Sequence, residues 1–362
     1  MATVLQRQTR HRSVLGLSVV HTRYLSRILT FGWKNIILLA FCGGVLLGQT
    51  RVYYHHHNKT PSSLAEHRPD SFRYSHSSDP RFAKAQYDSF GFFHDIPNTE
   101  WEERKEQAHR RYRPVPPGPA WIDGVGNIAD WIDRNEHPTL TCPQEEWIGP
   151  LEDGHKFVCD PHRLVSLSDC LVYSIGSNGE FGFEQDLTKW APNCEVHIFD
   201  FGDYEAAMQQ QSWSVGVGET TAKDNDDEQY KKQGNQEGNG GSVHYHRYGL
   251  AGRYSWLTNF WNSHEPTFSF PTIVRKLGHE GRTIDILKID CEFCEWTAYR
   301  DILGMSNHIS QILIETHEIA PPFFTDMHKA GYVLFHKEPN FLYRQGCEWS
   351  FLKMRSSFWN KA

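Results

Sequence analysis

The sequence predicts an α/β domain built on a mostly parallel sheet of seven strands with an antiparallel edge. Three observations predict it. From about residue 142, short apolar runs alternate with stretches of helical length, the pattern of strands joined by crossover helices. The run TIDILKID at 283–290 is apolar at Ile284, Ile286, Leu287 and Ile289, as a strand covered on both faces should be. At the end, 331–339 and 347–354 are two strand-like runs close together with no helix between them, which makes the antiparallel edge.

The chain ahead of that domain differs in kind. Residues 1–35 carry Arg7, Arg10, Arg12, Arg23, Arg27 and Lys34, and no acid occurs before Glu66. Residues 36–50 are uncharged, with an apolar heart from Ile36 to Gly48. A membrane span needs about 20 apolar residues, roughly 17 at the least. Counting back through Phe31–Trp33 reaches that length only if Lys34 snorkels to the interface. The basic flank places 1–35 in the cytosol, and no small-x-small cleavage site follows. The expectation is a single-pass type II membrane anchor with the rest of the chain facing the Golgi or ER lumen. The rival is an organelle presequence, which is also basic, Ser/Thr-bearing and acid-free.

Residues 51–80 are polar and aperiodic and read as a flexible stem, its three consecutive histidines at 55–57 solvated. Asn58-Lys-Thr60 is the one glycosylation sequon, close to the apolar run. Residues 81–141 read as a helical and aromatic extension. There Thr99-x-x-Glu102 matches a capping box for a helix to about Tyr112, Pro114 to Pro119 stop it, and a second helix fits 126–135.

Within 142–362 the strands are expected at 170–176, 194–201, 243–250, 283–290, 310–317, 331–339 and 347–354. Helices fit 181–189, 204–211, 271–277 and 323–330. Residues 215–242 interrupt the pattern with Gly, Asn, Asp and Lys in no apolar period, and read as a disordered surface insertion. A net charge of -7, with no basic block interleaved with aromatics, excludes a general nucleic-acid binder. Seven cysteines follow Cys42, an odd number, so at least one stays free or pairs between chains. That count suits an oxidising lumen without requiring one.

The chemistry is expected at the carboxyl ends of the strands, where open α/β sheets bind ligands. Strand 283–290 runs into Asp290, Glu292 and Glu295, acids placed either for chemistry or to cap a helix start. The first strand runs into Ser174, Gly176, Ser177, Asn178 and Gly179, a turn where backbone can approach a ligand closely. It is not a phosphate loop, since no Lys follows, and Asn178 stands where a G-x-G-x-x-G motif has its second glycine. Asp200 ends the next strand 24 positions beyond Gly176, placed to hydrogen-bond ribose hydroxyls, with Asp203 an equal candidate. Glu315, Thr316 and His317 end the fifth strand and add ionisable groups to the same edge. Cys291-x-x-Cys294 reads as packed or free thiols ahead of a local disulfide. Zinc is ranked last, because the second ligand pair it needs is missing, and no metal is expected. His244 and His246 read as strand-end core or surface histidines, and His317 as the one facing the cleft.

In this order the residues resemble a class I S-adenosylmethionine-dependent methyltransferase. More narrowly, SIGSNGEFGFE, HIFDF, LKIDCEFCEW and QILIETH resemble the FkbM-type and methyltransferase-like 24-type families, over about 142–354. The resemblance implies a Rossmann-like fold and S-adenosyl-L-methionine as cofactor. It implies a methionine-side turn at Gly176, Asn178 and Gly179, a ribose contact at Asp200, and Asp290, Glu292 and Glu295 near the transferred methyl. Ser174 stands where these families carry an acid, Glu180 where they carry a later glycine, and Phe293 and Cys294 replace a commoner small pair.

The expected activity is methyl transfer to a hydroxyl of a sugar or small metabolite, a small-molecule or glycan acceptor, with Asp290, Glu292 or His317 as base or orienting group. Two rivals come from other classes: a catalytically silent Rossmann-like scaffold, and a lumenal glycosyltransferase. The latter would use a D-x-D motif, present only as Asp224-Asn-Asp226 in the insertion.

Overall fold

The computed structural model describes residues 79–113, 119–151, 153–210, 241–252, 266–340 and 343–360, all within one compact unit, Asp70–Ala362. The expected basic tail, anchor, sequon and D-x-D triplet lie outside the described residues, as do the stem and the insertion save the last two residues of each. Among the described residues no helix is long and apolar enough to cross a membrane.

In chain order the elements are α1 (Ala83–Asp88), α2 (Asn98–Arg111), α3 (Val125–Arg134), β1 (Glu145–Ile148), β2 (Lys156–Cys159), β3 (Leu171–Ile175) and α4 (Gly182–Trp190). Then come β4 (Glu195–Phe199), α5 (Glu205–Gln209), β5 (Val243–His246), β6 (Gly249–Leu250), β7 (Thr267–Phe268), α6 (Phe270–Lys276), β8 (Ile284–Ile289) and α7 (Cys294–Leu303). The chain ends with β9 (Ile309–His317), α8 (Pro322–Lys329), β10 (Tyr332–Pro339), β11 (Gly346–Lys353) and α9 (Ser356–Trp359).

The main sheet has seven strands in the order β10-β11-β9-β8-β3-β4-β5. β9, β8, β3, β4 and β5 pair in parallel, and β11 is antiparallel to both neighbours, β9 and β10. The antiparallel strand is therefore one place in from the edge, and the edge strand β10 runs with the others. β10 and β11 are joined by a short connection, which can only reverse direction, so β11 slots between β10 and β9.

Alternating side chains feed two cores, one on each face. Val172, Val196, Ile198, Ile286 and Leu313 pack with α1, α2 and α4, whereas Tyr173, Ile175, Phe199, Leu287, Ile289, Ile312 and Ile314 pack with α3, α6, α7 and α8. The N-terminal helices are thus part of the covering layers. Trp101 of α2 is fully buried and its Nε1–H donates to Asp88 at 2.9 Å.

Four local features differ from the expectations. α2 starts at Asn98 with Pro97 at its cap and no side-chain cap bond, so the Thr99 capping box does not form; the Asn98 side chain instead accepts from Lys84 N–H and donates to the Pro80 carbonyl. The run 243–250 breaks after His246, where Tyr248 N–H turns back to the His246 carbonyl, and Gly249–Leu250 pairs with β7 in a separate small sheet. An antiparallel pair, β1 with β2, precedes the main sheet. Cys291 and Cys294 form a disulfide rather than packed or free thiols, because the turn between β8 and α7 brings their Cα atoms to 5.4 Å, within bridging range.

Two further disulfides, Cys142–Cys159 and Cys170–Cys194, fasten β2 to the segment ahead of β1 and the start of β3 to the start of β4. Each closes a loop worth about 3 kcal/mol by chain entropy. Among the described residues Cys347 is the free thiol, and burial pushes its pKa up.

Candidate active site

Parallel register levels the strand ends. Ile175 of β3 lies opposite both Phe199 of β4 and Ile289 of β8, and Ile289 lies opposite Ile314 of β9. The next residues along are Gly176, Asp200, Asp290 and Glu315, so all four meet at one edge of the sheet.

Gly176 has φ +77°, and a Cβ there would stand 1.7 Å from the Asp290 carbonyl oxygen. Only glycine fits, because both the backbone conformation and the contact exclude a side chain. The Gly176 N–H donates to the Phe199 carbonyl and the Asp290 N–H to the Ile175 carbonyl, each at 2.9 Å. Lys288 Nζ donates to the Gly176 carbonyl at 2.7 Å. The turn therefore seats directly on β8. Asn178 and Gly179 continue it at φ 50° and 79°.

Asp200 organises this turn from β4. Its Oδ2 accepts the N–H groups of Ser177 (2.9 Å) and Asn178 (2.8 Å), and its Oδ1 accepts the Gly202 N–H at 2.9 Å. A carboxylate offers about four lone-pair sites, so about one is left for a ligand hydroxyl. The rival Asp203 is exposed and pairs with Arg247 at 3.2 Å. Ser174 is fully buried, its hydroxyl donating to Glu184 of α4. Glu184 is itself fully buried, and its Oε2 has no hydrogen-bond partner. The carboxylate beside position 174 thus comes from the helix.

Asp290 keeps partial access, with 18% of its side chain exposed. Lys156 Nζ, brought in by β2, lies 3.3 Å from it and donates to Glu348 of β11 at 2.6 Å. Burial pushes the Asp290 pKa up, but the charges of Lys156 and Lys288 outweigh it and hold the group at about 2. Glu315 and Glu348 face each other across β9 and β11. Burial and repulsion from Asp290 raise Glu315, and burial raises Glu348 to about 8 against the pull of Lys156. With Glu348 raised to about 8, the cluster keeps one of its three carboxyl groups protonated near neutral pH.

His317 ends β9 between two acids. Glu295 Oε1 accepts its backbone N–H at 2.8 Å and lies 3.2 Å from Nδ1, while Glu292 lies 3.4 Å from Nε2. Burial alone would lower the His317 pKa, but Glu295, then Glu292 and Glu315, carry it up to about 9. A pKa carried that high keeps the ring protonated near neutral pH, which favours the orienting role over the base role of the two the sequence offered for His317. Glu295 is fully buried in the first turn of α7 and does not reach the crevice. It positions His317. Glu292 stands out at φ 51° with 81% of its side chain exposed. Half-exposed aromatics flank the ring: Phe293 at 5.6 Å and Tyr343 at 5.8 Å between centroids.

The structure thus brings Ser174, Gly176, Ser177, Asn178, Gly179, Asp200, Asp290, Glu292 and His317 to one edge and withdraws Glu295 beneath it. Lys156, Glu184 and Glu348 join the site without having been foreseen. An acid on the apolar face of a helix between Phe183 and Leu187 was a signal for Glu184, and an acid inside the apolar strand 347–354 a signal for Glu348. Asp290, Glu315 and His317 offer ligand atoms within 4.8 Å of one another, but Lys156 is the cation that already serves Asp290.

A family model described as a methyltransferase domain matches residues 83–233 and 225–353. Comparison with curated proteins finds no match.

Proposed function

The chain belongs to the methyltransferase-domain family, whose model matches about three-quarters of it, and on that premise we propose an S-adenosylmethionine-dependent O-methyltransferase of the FkbM or methyltransferase-like 24 type. The observation that carries this reading is the meeting of the 176–179 turn, Asp200 and Asp290 at the carboxyl edge of the sheet. The residues fit the cofactor. The remaining acceptor capacity of Asp200 suits a ribose hydroxyl. The unpartnered Glu184 Oε2, beside a serine two positions from Gly176, is the buried acceptor an ammonium group needs. The cofactor supplies an electrophilic methyl on a sulfonium.

This chain's own residues then hold and orient the acceptor. Asp290, ionised and partly open, accepts a hydrogen bond from the acceptor hydroxyl and aligns its oxygen. His317, as imidazolium, donates from Nε2, whose facing acid Glu292 is exposed at the rim, to a neighbouring oxygen of the acceptor. As the methyl is transferred, the hydroxyl proton leaves along its hydrogen bond to Asp290 and on to solvent, and Glu292 at the rim pairs with His317. Positioning of this kind can account for much of the rate in a displacement reaction. Phe293 and Tyr343 offer ring faces on which a sugar can stack, which supports a glycan or small polyol acceptor.

Three disulfides in the described residues support an oxidising compartment, and with it the type II anchor at 36–50 and a lumen-facing domain.

The test is calorimetric titration of the full-length chain with S-adenosylmethionine, alongside Asp200→Ala and Glu184→Gln. Micromolar binding, weakened at least ~10-fold in each variant, is the expected result. A folded wild-type chain that binds none would leave the silent scaffold as the better reading.

A further inference from the structure

Below the crevice, β4, β5 and the turn ahead of β8 bring together side chains that methyl transfer does not use. Glu195 and His197 lie on β4, and His244 lies opposite His197 on β5. His279 sits in the turn between α6 and β8. Glu195 Oε1 is 3.0 Å from His197 Nε2 and 3.8 Å from His279 Nε2. Donor atoms of Glu195, His197 and His244 lie within 4.8 Å of one another. The rings of His244 and His279 stand 4.7 and 4.9 Å from that of His197.

The outward atoms of all four are held by a second set of partners. His279 Nδ1 meets the Tyr173 hydroxyl at 2.7 Å, and His197 Nδ1 meets His246 Nε2 at 2.8 Å. His244 Nε2 meets the Ser242 hydroxyl at 2.8 Å, and Glu195 Oε2 accepts from Arg282 at 2.6 Å. Fixing the far nitrogen of each imidazole is how proteins orient metal-ligating histidines. Hydrogen bonding within the group leaves one of its atoms over: the Nδ1 of His244 is buried and has no hydrogen-bond partner.

We propose that Glu195, His197, His244 and His279 form a binding site for a divalent transition-metal ion of the zinc class. Three imidazoles and one carboxylate are a borderline donor set that suits zinc and excludes magnesium or calcium, which prefer all-oxygen shells. Glu195, His197 and His244 supply the central ligands, and His279 Nε2, 3.8 Å from the shared Glu195 oxygen, makes up the four-ligand set of a structural site. It fastens the edge strand β5, which is four residues long and has one neighbour in the sheet, to β4 and to the turn that launches β8. Its ligands come from three separate stretches, and Glu195-x-His197 alone is too short a pattern to announce them.

The test uses the full-length chain with His55, His56 and His57 replaced by Ala, so that the consecutive histidines bind nothing. The chain is stripped with chelator, then titrated with Zn²⁺ alone by calorimetry and with Co²⁺ by visible absorption. One equivalent of Zn²⁺, a raised Tm and an intense four-coordinate Co²⁺ band are expected. His244→Gln and His279→Gln should each weaken Zn²⁺ binding at least ~100-fold, and Tyr173→Phe, which keeps all four ligands, about 10-fold. His317→Gln should leave it unchanged. Far-UV circular dichroism of the stripped variants, matched to the stripped parent, separates lost ligation from lost folding. No bound equivalent, an equivalent that survives both His244→Gln and His279→Gln, or one lost in His317→Gln would overturn the proposal.

Discussion

The Glu295 carboxylate accepts the backbone N–H of His317 at 2.8 Å and stands 3.2 Å from its Nδ1, tying the first turn of α7 to the last residue of β9. A fully buried carboxylate needs a compensating partner, and the imidazolium is that partner. Glu295→Gln keeps a hydrogen-bond acceptor but removes the charge. Burial should then dominate, and the His317 pKa should drop from about 9 to about 6.5 or lower. Imidazole NMR titration reads this directly. A His317 that still titrates near 9 in the variant would assign its raised pKa to some other group.

The same shifts set the dependence of stability on pH. His317 is raised from 6.5 to about 9, so its contribution is complete below pH 6.5 and is lost as pH rises through about 9. Glu348, raised from 4.5 to about 8, acts in the same direction over a lower window. Asp290, lowered from 3.8 to about 2, contributes above pH 3.8 and is lost as pH falls toward 2. Stability should therefore decline between pH 6.5 and 9, with His317 responsible for roughly 3 kcal/mol of it. Melting curves across pH 5–9.5 should show that decline in the wild type and a flatter one in His317→Gln. Parallel curves would remove His317 as the source.

Gly176→Ala should be among the most damaging single changes in the chain. Its Cβ would stand 1.7 Å from the Asp290 carbonyl, and φ +77° is strained for any L side chain. Moving that carbonyl would break the Asp290 N–H to Ile175 bond and unseat the turn from β8. A loss of more than about 3 kcal/mol is expected. Gly278→Ala has a comparable φ of +67° but nothing within 4 Å of its Cβ. It should cost only about 1 kcal/mol, the strain alone. Equal costs for the two would mean that the contact contributes nothing.

Strand 283–290 was readable because burial on both faces demands a continuous apolar run, and 170–176 and 194–201 were readable for the same reason. The crevice followed from topology once those strands were parallel. The β1–β2 pair was not readable: Glu145-Glu146-Trp147-Ile148 has no clear alternation, and β2 is four residues long. Strand 243–250 was overrun, since Arg247 carries no signal that the chain turns there. The sequence could also place Cys291 and Cys294 within reach of each other but not fix their oxidation state. Least readable were pairs made by tertiary contact alone. Lys156 and Glu348 are 192 positions apart, and nothing local to either announces the other.

That pair carries the last prediction. Lys156 is 1% exposed and serves Asp290 and Glu348, with Glu315 adding to the field that holds it charged. Lys156→Met fits the volume but leaves three carboxyl groups with no cation from β2. Removing one member of a buried ion pair typically costs about 3–5 kcal/mol, because the remaining charge stays desolvated. Urea unfolding should show a loss of that size, and the Asp290 pKa should climb from about 2, weakening its hold on an acceptor hydroxyl. Adding Glu348→Leu to Lys156→Met should recover part of the stability, since the desolvated carboxyl goes with it, but none of the Asp290 shift that Lys156 caused. A single variant that unfolds within about 1 kcal/mol of wild type would mean that water reaches the cluster and screens it.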